Sequence, residues 1–224
     1  MKKIILSVLT FMLVLVFSGF DASAMEKSDK KASTVIDGTK MSKQELGKLR
    51  DSIKEYTIEL TDQQVAEQYA EIKGVSINEA YQKMSEYSTN FDSKTLAVSA
   101  LSTSCSWLET NTSVTIPNKS YKPNLIVYVE VCRGGAQYIN TNKKPLLQEF
   151  KANPISYSGT ISVELFNGHF YYIVNGNFYN STSTSHSGTT GLSALFTATY
   201  SVGTTSNYYA SLTTPRTKRA VLGY

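Results

Sequence analysis

Leu125-Ile126-Val127-Tyr128-Val129-Glu130-Val131-Cys132 is an apolar, β-branched run that ends in one of only two cysteines in the chain. Such a run reads as a strand. Alternation along it places Val127, Val129 and Val131 on one face and Tyr128, Glu130 and Cys132 on the other, so its lone charge, Glu130, is expected to point to solvent. After this strand the hydrophobic period is that of β-structure. Before it the chain reads as an export signal followed by helices.

Downstream, Arg133-Gly134-Gly135 turns the chain, and residues 142–152 read as a short helix with Pro145 in its first turn and Leu146, Leu147 and Phe150 on one face. Residues 159–166, 169–174 and 177–179 are expected as strands of a meander, joined at Asn167-Gly168 and at Asn175-Gly176, since Asn-Gly between alternating segments is a strong hairpin signal. Residues 180–191 contain no apolar side chain and read as a solvated loop. Residues 192–202 and 208–212 supply two further strands, and a short strand at 113–116 ends at Pro117. Short strands separated by turn signals predict an antiparallel sandwich or small barrel.

Upstream, Ser42-Lys43-Gln44-Glu45, Thr61-Asp62-Gln63-Gln64 and Ser76-Ile77-Asn78-Glu79 match the capping-box pattern, in which a hydroxyl and the side chain three residues on satisfy each other's exposed backbone donors. Three such starts predict a helical region over 42–90. Its apolar stripes are Leu46, Leu49, Ile53 and Tyr56, then Val65, Tyr69 and Ile72 ahead of Gly74, then Ala80, Tyr81 and Met84. Residues 25–41 lack apolar periodicity and read as a disordered leader. Residues 1–24 carry Lys2 and Lys3, an apolar stretch of about 14 residues and Ala22-Ser23-Ala24, the layout of a secretory signal, too short for the roughly 20 residues that span a bilayer. The expected organisation is thus signal 1–24, leader 25–41, helical region 42–90, linker 91–104 and β-domain 105–224. The fold class is α+β: a small N-terminal helical region followed by an antiparallel all-β sandwich or barrel.

Export changes the reading of the cysteines. Cys105 and Cys132 lie in a chain bound for an oxidising compartment and lack C-x-x-C spacing, so they are expected to form a disulfide. The compact Lys-Lys signal has a bacterial, Gram-positive look.

Charge is uneven: residues 25–98 hold 11 Lys and Arg against 13 Asp and Glu, a net of −2, and residues 99–224 hold 9 against 4, a net of +5. The four acids of the second part are Glu109, Glu130, Glu149 and Glu164, with no aspartate. A Ser-His-Asp set confined there is excluded, and the only histidines are His169 and His186. Glu130 and Glu164 are the pair a glycosidase reading would need. No metal-ligand spacing occurs and no cofactor is expected. The segment 65–84 has helix-turn-helix spacing, but Asn78, Glu79, Gln82 and Lys83 offer too little positive charge for nucleic acid.

Tyrosines cluster at Tyr171, Tyr172 and Tyr179 and at Tyr208 and Tyr209, beside serine, threonine and asparagine. Stiff amphipathic rings in that company make recognition surfaces, and with His186 in the polar loop they are the candidate binding residues. The first reading is a secreted, non-enzymatic protein whose basic, tyrosine-rich β-domain binds a cell wall, glycan, lipid headgroup or surface protein. A second is a proprotein whose acidic helical segment is cut off to release a basic effector. A third is a secreted hydrolase. Mass spectrometry of the mature secreted species checks the first steps of all three: a chain beginning at Met25 and gaining two hydrogens on reduction is the expected result.

Overall fold

The computed structural model describes residues 34–89, 104–134, 136–139, 145–152, 154–166, 168–180, 195–198 and 207–221. The expected signal at 1–24, most of the linker, the 181–191 loop and His186 lie outside them. In chain order the elements are β1 (Val35–Asp37), α1 (Lys43–Ser52), β2 (Tyr56–Leu60), α2 (Asp62–Lys73), α3 (Ile77–Thr89), β3 (Ser104–Ser113), β4 (Asn124–Gly134), β5 (Ala136–Ile139), β6 (Leu147–Lys151), β7 (Ser156–Phe166), β8 (His169–Asn180), β9 (Leu195–Ala198), β10 (Asn207–Thr213) and β11 (Thr217–Ala220). The fold is mixed α+β, mostly strands in two sheets, with three helices among the described residues and a Cys105–Cys132 disulfide.

The first sheet runs β1-β2-β3-β4, with β5 and β6 sharing the far edge of β4. The second runs β10-β8-β7-β9, with β11 also on β8. All pairings are antiparallel except β1 with β2. The disulfide joins Cys105 and Cys132, direct partners in the β3–β4 register.

Each helix begins on a hydroxyl. Ser42 accepts from the Glu45 amide at 3.3 Å while its own amide donates to Glu45 Oε2 at 2.8 Å. Thr61 with Gln64 and Ser76 with Glu79 make the same exchange, which satisfies donors that a helix start otherwise leaves open. Gly74 ends α2 in the left-handed conformation, φ 65°.

A helical region standing ahead of an all-β domain is not what the chain builds. Ile53 caps α1 with extended backbone, φ −121°, and Tyr56, expected on the helical stripe, opens β2 instead. Tyr56, Ile58 and Leu60 face one way and Thr57 the other, and all four are buried. β2 pairs with β3, and residues 35–37 of the expected leader pair with β2 as β1. The described residues all belong to one compact unit, Ala32–Tyr224.

Three further expectations are corrected. β3 occupies Ser104–Ser113, where the linker was to end and before the strand expected at 113–116. Residues 147–151 form β6 rather than a helix: Leu147 and Phe150 belong to different core clusters, and extended backbone carries side chains to both faces of the sheet. Asn175-Gly176 is not a turn. β8 passes straight through it, with Asn175 opposite Thr160 and Gly176 opposite Gly159. A Cβ on Gly176 would strike Ser158 O, Gly159 Cα and the Tyr157 ring, so glycine serves here for close approach rather than for turning. The other Asn-Gly does connect a hairpin: Phe166 pairs with His169, and Gly168 has φ 71°.

Two core clusters result. One draws Leu125, Val127, Val129 and Val131 of β4 together with Ile161 and Val163 of β7 and Phe170, Val174 and Phe178 of β8. Phe150, Tyr157 and Phe178 meet within it at ring separations of 4.9 to 6.3 Å. The other sets Ile126, Tyr128, Trp107 and Ile58 against Leu46, Val65, Ala80, Met84 and Tyr87 of the helices. Tyr81, expected on that stripe, is 41 % exposed.

The two kinds of glycine separate in urea denaturation. Gly176→Ala is expected to lower stability by about 1–3 kcal/mol through overpacking, whereas Gly47→Ala, in α1 with open space around the new methyl, is expected to raise it by about 0.5–1 kcal/mol.

Candidate functional site

Two places concentrate polar chemistry: a charge cluster under the helices, and the outward face of the second sheet. The cluster begins with Glu109, which alternation along β3 turns toward the helices beside Trp107 and Asn111. Arg50, in the last turn of α1, binds it bidentately, Nε to Oε1 at 2.9 Å and Nη2 to Oε2 at 2.5 Å, and the Tyr56 hydroxyl donates to Oε1 at 2.7 Å. Glu109 is completely buried. A buried carboxylate is tolerable only with such partners. Burial opposes the charge on Arg50, but the hydrogen bond and charge of Glu109 outweigh it and raise its pKa. Burial, then the Glu109 carboxylate, push the Tyr56 and Tyr128 phenols up. Glu149 on β6, beside Lys151 at 3.5 Å, is also raised, chiefly by burial.

Glu130 lies on the same side. It is buried, not solvent-facing, and accepts from the Ser88 hydroxyl of α3 at 2.9 Å. Its carboxylate and the sulfurs of Cys105 and Cys132 lie within 4.8 Å of one another, but the sulfurs are bonded to each other, and metals bind thiolates. Trp107 donates to Asp62 of α2 at 2.9 Å and packs against Tyr87 of α3. These polar contacts hold helices on a sheet, and their chemistry is that of a fastening.

The second sheet turns its other face outward. Along β8 the inward residues are Phe170, Tyr172, Val174 and Phe178, all buried. The alternate set is His169, Tyr171, Ile173, Asn175, Asn177 and Tyr179. Strand β7 contributes Ser158, Thr160, Ser162 and Glu164 to this face, and β10 contributes Tyr208, Ser211 and Thr213. Phe166, Ile173 and Tyr208 are 57 %, 37 % and 62 % exposed. Tyr208 stands edge-on to Tyr179 at 6.4 Å. Thr213 donates to Asn175 Oδ1 at 2.9 Å. Near the other end Arg216 lies over the Tyr171 ring at 3.9 Å and pairs with Glu164 at 3.2 Å.

The predicted residues divide accordingly. Tyr171, Tyr179 and Tyr208 share the outward face. Tyr172 is buried in the core, its phenol raised by burial and then by Glu55. Tyr209 packs against the core at a bulge in β10, under Lys119 at 4.4 Å. Glu130 and Glu164 cannot flank one cleft, because one lies beneath the helices and the other on the far face of the second sheet, with a hydrophobic cluster between. Of the four acids of residues 99–224, Glu109 and Glu130 are buried and Glu149 nearly so.

Ile173, Asn175 and Asn177 were not among the candidate residues, because a turn at Asn175-Gly176 would break the single strand face they share on β8. The Arg50–Glu109 pair spans 59 residues and has no local signal at all. Among the described residues no helix is long and apolar enough to cross a membrane. Comparison with known proteins finds no family model, no curated protein and no solved structure that matches the chain.

Removing one partner of the buried pair, as in Glu109→Ala, is expected to cost about 3–5 kcal/mol in denaturant unfolding. Glu149 behaves oppositely. Its pKa is higher folded than unfolded, so stability declines as pH rises from the ordinary value of 4.5 through the folded one. Glu149→Gln should therefore raise the urea midpoint at pH 7 and lose that advantage once the pH falls below 4.5.

Proposed function

We propose that the chain is a secreted, non-catalytic binding protein, that its two sheets are the layers of a sandwich, and that the outward face of the second sheet engages a cell-wall or other cell-surface glycan. The observation that carries this reading is the placing of Tyr179 and Tyr208 at one end of that face and Tyr171, beside Glu164, Arg216 and Lys218, at the other, with asparagine, serine and threonine on the strands between them. Aromatic faces pack against the C–H faces of sugars, while amides and hydroxyls exchange hydrogen bonds with sugar hydroxyls. Secretion is supported by the composition of residues 1–24 and by the disulfide.

The test is co-sedimentation of the full mature chain with insoluble cell walls and polysaccharides, beside the triple variant Tyr171→Ala, Tyr179→Ala, Tyr208→Ala. Wild type is expected in the pellet and the triple variant at least tenfold depleted from it, with an unchanged unfolding transition. A wild type that stays in the supernatant with every wall and polysaccharide, or a triple variant that sediments like wild type, overturns the reading.

A further inference from the structure

The outward side chains of β8 form a straight row rather than a pocket. Tyr171, Ile173, Asn175, Asn177 and Tyr179 occupy every second position. Each step of two residues advances about 6.7 Å, so Tyr171 and Tyr179 stand about 27 Å apart. Beside Asn175 lie Thr160 on β7 and Thr213 on β10; beside Asn177 lie Ser158 and Ser211; beside Ile173 lies Ser162. Between its two aromatic ends the row and its flanks offer amides, hydroxyls and one aliphatic side chain, with no charge among these described residues. Charge gathers at the Tyr171 end, where Glu164, Arg216 and Lys218 lie.

We propose that the occupant of this face is a long, uncharged, linear polysaccharide lying along β8, held at one end by Tyr171 and at the other by Tyr179 and Tyr208. This rests on the glycan reading above and narrows it. The charge pattern selects the occupant. A polyanion laid along the row would cross the whole centre without meeting a cation and would find Arg216 and Lys218, with Glu164 against it, at the Tyr171 end alone. An anionic membrane requires a basic field that this face lacks. A neutral chain matches the amides and hydroxyls of the centre and loses nothing for want of charge there. Length follows from the spacing: a mono- or disaccharide reaches one aromatic end only, whereas a polymer of several units reaches both, and linking two weak contacts multiplies affinity.

Binding of the full mature chain to soluble neutral β-glucan and chitin oligomers of increasing length, with a polyuronate of matching length as charged control, tests this by calorimetry at low and at 1 M salt. Affinity for a neutral series is expected to climb at least tenfold between the disaccharide and the longest oligomer and to be insensitive to salt. Tyr171→Ala, which removes one end, and the double variant Tyr179→Ala, Tyr208→Ala, which removes the other, should each abolish that climb. Cell-wall binding that prefers the polyuronate, vanishes at 1 M salt, or is as tight for a disaccharide as for a polymer overturns the neutral-polymer inference and leaves the glycan reading standing. Absence of binding to walls and to every saccharide overturns both.

Discussion

Eight consecutive side chains of β4, Leu125 to Cys132, are buried, half toward the second sheet and half toward the helices, so each face of the strand requires its own cover. The second sheet covers Leu125, Val127, Val129 and Val131 with Ile161, Val163, Phe170 and Phe178. The helices cover Ile126 and Tyr128 with Leu46, Val65 and Met84. Most of the driving force here is removal of apolar surface from water. A strand with two covers also needs neighbours on both edges, and β3 on one side, with β5 and β6 on the other, supply them.

The helix-side cover is fastened by polar contacts that a purely apolar layer would not need. Glu109 faces away from water on β3 and is met by Arg50 and Tyr56; Glu130 is met by Ser88; Trp107 reaches Asp62. Such contacts contribute little net stability but are costly to break from one side. They fix where α1, α2 and α3 sit. A consequence bears on the proprotein alternative: removing everything before residue 100 would take β2 from β3 and Arg50 from Glu109, leaving a buried carboxylate without its counter-charge. That weighs against a released β-domain.

Much of this was readable locally. Capping boxes at Ser42, Thr61 and Ser76 need only four residues each, and the Asn167-Gly168 turn needs two. What failed, failed for lack of long-range information. Trp107, Glu109 and Asn111 on one face of β3 and Leu108, Thr110 and Thr112 on the other are all buried, so the strand shows no clean alternation of apolar and polar residues. Asn175-Gly176 has the composition of a turn, but Gly159 on the opposite strand makes it a point of close approach. Three of the five candidate tyrosines lie on the outward face because strand alternation separates Tyr171 from Tyr172, and the β10 bulge separates Tyr208 from Tyr209.

By itself the sequence determined what depends on neighbours in the chain: helix starts, the hairpin between β7 and β8, the strand character of 125–132 and the cysteine pair. Only the tertiary structure decided that β1 and β2 belong to the sheet, that Glu130 is buried, and which tyrosines reach solvent. The physical reason is the same in each case. Burial and strand pairing are set by partners distant in the chain, Tyr56 by Asn111 and Gly176 by Gly159, and no local pattern records which surface a strand will be laid against.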